Sequence, residues 1–62
     1  MSYSKPHHLA QMEAREVSES LLKAGAADGF SRAYHTEEAL KAFGRLSAHI
    51  YTLTLNETKE AA

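Results

Sequence analysis

The sequence predicts an all-α fold: an antiparallel helical hairpin with a short helical turn in its connection, dimerising into a four-helix bundle. Three observations lead there. Apolar residues recur at 4-3-4-3 steps in two stretches, Ala10 to Ala24 and Ala39 to Leu53, which is the spacing of helices packed in pairs. A chain of 62 residues without cysteine supplies only about 3–5 kcal/mol from a single core, and without disulfides such chains rely on close packing or association. Finally, the second stretch carries apolar side chains on more of its circumference than one neighbouring helix covers.

The first helix is expected over about residues 5–24. Ser4 is a natural N-cap, and Lys5 and Pro6 fill the first turn, where proline's missing N–H is harmless. Good helix formers follow, and Gly25 suits the left-handed position after a helix. The apolar seam is Ala10, Ala14, Val17, Leu21 and Ala24, mostly small residues.

The connection is expected over 25–35. Gly25, Asp28 and Gly29 interrupt the pattern. Asp28 can cap a short helical turn in which Phe30 and Tyr34 stand four apart, with their rings closing one end of the core.

The second helix is expected over about 36–56, with Thr36 as N-cap, Glu37 and Glu38 at its positive dipole end, and a frayed tail at 57–62. One seam, Ala39, Phe43, Leu46, Ile50 and Leu53, sets large side chains against the small seam of the first helix, giving close antiparallel packing. A second seam, Leu40, Gly44, Ser47, Ala48, Tyr51 and Leu55, lies about 100° around the helix. Gly44 and Ala48 there allow another backbone to come close. The hairpin leaves this seam open, so it is the expected protein interface. Its cover is a second copy, a different protein or the Phe30/Tyr34 segment, and residue types alone do not choose among them. Glu38, Lys41, Arg45, His49, Thr52 and Asn56 form the expected solvated stripe.

The chain offers little chemistry. Asp28 is its single aspartate, and there is no phosphate-binding glycine loop and no nucleophile elbow. The expectation is a non-enzymatic protein with no catalytic residues and no cofactor. His7, His8, His35 and His49 share no i, i+4 face. A site from His8, His49 and a glutamate is weighed against surface histidines, and the latter are expected, with no metal. The formal net charge of −1 lacks the basic excess of a phosphate reader. Arg32, Lys41 and Arg45 form one basic cluster, which ion pairs explain, although a small dimeric nucleic-acid-binding regulator is the alternative function. No run approaches the ~18 apolar residues of a membrane span, no leader follows "MSYSKPHHLAQ", and the expected location is the cytoplasm. The composition suggests a small regulator, adaptor or inhibitor that occupies a protein surface. Small phage-encoded inhibitors of host proteins share this profile.

Overall fold

The computed structural model describes residues 4–61, with side chains from Ser4 to Glu57. Its described residues form two α-helices, α1 (Lys5–Ala26) and α2 (Gly29–Ala61), packed against each other. There is no strand among them, so the alternating "YTLTL" stretch is helical.

α1 begins as its residues dictate. Ser4 is extended at φ −94° and ψ 109°, its Oγ accepts from the His7 backbone N–H at 3.4 Å, and Pro6 sits in the first turn. The end differs from expectation. Gly25 stays helical, and α1 stops at Ala27, an extended residue whose N–H donates to the Ala24 carbonyl at 3.3 Å.

The connection is much shorter than expected. Only Ala27 and Asp28 separate the helices. The single positive φ among the described residues belongs to Gly29, at 57°, where a residue with a Cβ would be strained. The helical turn expected inside the connection is the first turn of α2. Thr36 is therefore not a cap; it lies inside the helix, and its hydroxyl donates to the Arg32 carbonyl at 2.8 Å. The expected tail at 57–62 is helical through Ala61. Ala62, the side chains beyond Glu57 and the opening residues 1–3 lie outside the described residues.

The helices run antiparallel, as cross-links fix: His7 meets Glu57, and Arg45 meets Glu13 and Glu16. In this register α1 ends near the middle thirties of α2. The first turns of α2 therefore project past α1. Arg32 folds back over the junction, donating from Nε to the carbonyls of Ala24 at 3.1 Å and Ala27 at 2.9 Å. Phe30, on the overhang, is 88% exposed, and Tyr34 is 53% exposed. Neither ring closes a core or covers another face.

The seam between the helices is narrower and more polar than the sequence suggests. On α1 the less exposed positions are Ala10, Glu13, Val17, Ser20, Ala24 and Ala27. On α2 they are His35, Glu38, Ala39, Ala42, Leu46, His49 and Leu53. Ala10, Val17, Ala24, Ala39, Leu46 and Leu53 fall where expected. Ala14 and Leu21 give way to Glu13 and Ser20, and Phe43 and Ile50 give way to Ala42 and His49. Each helix is thus turned by part of a residue step. Glu38 and His49, expected in the solvated stripe, are half-buried. Among the described residues the most deeply buried positions are four alanines, Ala10, Ala24, Ala39 and Ala42. Small residues at the crossing let the backbones approach and move the bulkier neighbours to the sides.

Candidate functional site

The hairpin is a slab one helix thick, 50 × 21 × 11 Å. A slab has two broad faces and two edges, and the sequence register assigns residues to each. In an antiparallel pair, the positions just before the seam residues of both helices turn to one face. The positions just after them turn to the other, because successive residues step about 100° and a two-fold normal to the pair keeps each face on its own side.

The face before the seam is charged along its middle, while Leu9 and Met12, both exposed, stand toward its open end beside Ala48 and Thr52. Glu16, Glu19, Lys23, Glu38 and Arg45 line a groove there of ≈ 310 Å³, with Tyr34 and His35 at its end. Arg45 bridges the helices, donating from Nε to Glu13 Oε2 at 2.9 Å and from Nη2 to Glu16 Oε2 at 2.7 Å. The hydrogen bond from Arg45 holds the Glu16 carboxyl below the usual carboxylate range. Donating to Glu13 first and then to Glu16 raises the Arg45 guanidinium above its ordinary value.

The face after the seam is uncharged, with large apolar side chains set among the small and polar Ser18, Thr36, Ser47 and Thr54. From Gln11 to Gly25 on α1 and from Thr36 to Thr54 on α2, its positions hold no charged residue. Leu21 is 53%, Leu40 69%, Phe43 54% and Ile50 48% exposed. Ala14, Ser18 and Ser47 lie between them and are exposed. At its open end His7 Nε2 lies 3.3 Å from Glu57 Oε1, while His7 Nδ1 pairs with Ser4 Oγ at 2.6 Å.

The interface expected from the sequence falls partly here and partly elsewhere. Leu40 and Ser47 lie toward the charge-free face. Gly44, Ala48, Tyr51 and Leu55 lie on the edge of α2 that looks away from α1. All six are exposed, Tyr51 by 65% and Leu55 by 53%. A Cβ added at Gly44 meets nothing within 4 Å, so the hairpin itself does not require glycine there. Sequence reasoning missed Leu21, Phe43 and Ile50 as surface residues, having placed them in the internal seam. The legible signal was the run of charge-free positions that continues on both helices at the same side of the seam.

Each cation of the expected basic cluster is engaged. Arg32 binds backbone carbonyls, Lys41 lies 3.7 Å from Glu38 and 4.0 Å from Glu37, and Arg45 is held by its two glutamates. The N-terminal histidines do approach the end of α2, through His7. Among the described residues no group of three or more His, Asp or Glu side chains is placed to hold a metal ion. Among the same residues, no helix is long and apolar enough to cross a membrane.

In comparison with known proteins, no family model, curated protein or solved structure matches this chain.

Proposed function

We propose that this protein works by binding another polypeptide, as a small regulator, adaptor or inhibitor, and performs no catalysis. One observation carries the reading: the hairpin buries only alanines, half-buries Val17, Leu46 and Leu53, and exposes most of its other large apolar side chains. Four alanines form the core, while Leu21, Leu22, Leu40, Phe43, Ile50, Tyr51 and Leu55 are each at least 48% exposed. Alanine burial contributes little against the roughly 1–2 kcal/mol of backbone entropy lost per ordered residue. The favourable burial that balances the folded state therefore comes from contacts outside the single chain.

The partner-facing surface is the outer edge of α2, Gly44, Ala48, Tyr51 and Leu55, with Leu40 and Ser47 at its margin toward the charge-free face. Gly44 and Ala48, four apart, admit a close helix crossing, and Tyr51 is the kind of amphipathic anchor that dominates binding energy. Glycine inside a helix costs roughly 0.5–1 kcal/mol relative to alanine, and here nothing within the hairpin repays it. The fitting partner presents an apolar helix face in the manner of helix-in-groove recognition.

Immobilised protein and its Gly44→Leu variant, exposed to the same cell extract, test this. The reading expects a protein captured by the wild type and lost from the variant, with equal helix content in both. Equal capture by both removes the outer edge as the partner surface.

A further inference from the structure

We infer that the charge-free face is covered by a second copy of this chain, with α2 of each copy seated over α1 of the other in a four-helix bundle. The inference rests on the reading above, since it assigns one of the two uncovered surfaces to self-association and leaves the outer edge of α2 free for a different protein.

Area argues for a cover of this size. A compact monomer of 6.8 kDa exposes about 4,000 Å², whereas this chain exposes 5077 Å². The excess, roughly 1,100 Å², exceeds the about 800 Å² per partner of a standard stable interface. The radius of gyration agrees: 14.8 Å against about 11 Å for a compact chain of this length. A slab one helix thick becomes a normal two-layer bundle when stacked once on itself.

Charge selects the face. The opposite face carries Glu16, Glu19, Lys23, Glu38 and Arg45 around its groove, with Arg45 tied to Glu13 and Glu16 across the two helices, and water suits these charges. The charge-free face can be dehydrated without stranding an ion. Self-complementarity selects the occupant. On this face the large side chains, Leu40, Phe43 and Ile50, belong mainly to α2, whereas α1 contributes the small Ala14 and Ser18 beside Leu21. A two-fold axis parallel to the helices keeps heights unchanged and lays α2 over α1 of the second copy. The observed register then places Phe43 over Ser18 and Leu21, and Ser47 and Ile50 beside Ala14. Large over small on both halves fills the layer, and an isologous contact closes at two chains.

The wider stripe on α2 fits the same arrangement. A helix in a two-stranded seam shows apolar residues at two positions per heptad, while a helix in a bundle core shows three.

The chain has no cysteine, so disulfide trapping tests the contact without background. Ala14→Cys and Ser47→Cys are made as separate proteins, mixed and mildly oxidised, with Leu55→Cys as the outer-edge control. The mixture is expected to form covalent dimer at least tenfold faster than either protein alone or the control. Self-linking of Ser47→Cys at the faster rate overturns the seating of α2 over α1. Fast self-linking of Leu55→Cys, with none in the mixture, overturns the face. Light scattering on the uncrosslinked protein supplies the second measurement. The wild type is expected at twice 6.8 kDa, unchanged by Leu55→Glu and reduced to monomer by Ile50→Glu. A dimer lost with Leu55→Glu and kept with Ile50→Glu overturns this inference while leaving a protein-binding function standing. A wild type that is a folded monomer throughout overturns both.

Discussion

The Arg45 guanidinium donates from Nη2 to Glu16 Oε2 at 2.7 Å, and from Nε to Glu13 at 2.9 Å, across the two helices. This side chain does more than pair with charge. Its two bonds span the helices in the same rotation of α2 that brings Ala42 into the seam and turns Phe43 out of it.

The bridge makes stability depend on acid. Because Arg45 holds the Glu16 carboxyl below its ordinary value, the unfolded chain takes up that proton at higher pH than the folded one. The contribution is therefore present above the ordinary carboxylate range and fades as pH falls from about 5 through the lower folded value. Arg45, raised above an already high value, stays charged throughout. Urea midpoints measured from about pH 7 to about pH 3 are expected to fall less steeply for Arg45→Met than for the wild type. Parallel acid limbs contradict the bridge.

The glycines separate cleanly. Gly29 has φ 57°, so Gly29→Ala is expected to destabilise by about 1 kcal/mol or more. Gly25 lies inside α1 with open space where a Cβ would go, and Gly25→Ala is expected to stabilise by about 0.5–1 kcal/mol. Thermal unfolding of the two variants, run side by side at one protein concentration, checks both signs. A loss at Gly25 places the end of α1 earlier than Ala26.

Ala42, 1% exposed, is the most deeply buried residue of the seam. Ala42→Leu is expected to force the helices apart at a cost of about 1–3 kcal/mol, visible in the denaturation midpoint. If this change is neutral, the seam is rotated back toward Phe43.

Phe30 overhangs the end of α1 and is 88% exposed. Phe30→Ser is expected to change hairpin stability by less than about 0.5 kcal/mol. A loss of several times that amount restores the ring to a core.

Much of the fold is legible in the sequence. Ser4 and Pro6 announce the start of α1, and the seven-residue spacing of Ala10, Val17 and Ala24, answered by Ala39, Leu46 and Leu53, marks the shared seam. What misleads is size. Phe43 and Ile50 look like core because they are large and apolar, yet a two-helix crossing prefers the adjacent Ala42, which lets the backbones close, and tolerates His49 at its margin. The connection misleads for a different reason. Gly25 and Gly29 both read as breaks, but only Gly29 takes a left-handed backbone, and the helical residues after it join α2 directly. The open outer edge of α2 follows from periodicity alone. The charge-free face needed the true register of the seam, which a shift of one residue conceals.

The most direct test of the central claim, that the large apolar side chains left exposed by the hairpin are covered by association, is the melting temperature as a function of protein concentration from about 1 μM to about 300 μM. Folding coupled to association makes it rise with concentration, with hydrophobic dye binding greatest in the most dilute samples. A sharp melt at one temperature across the whole range, without dye binding, contradicts it.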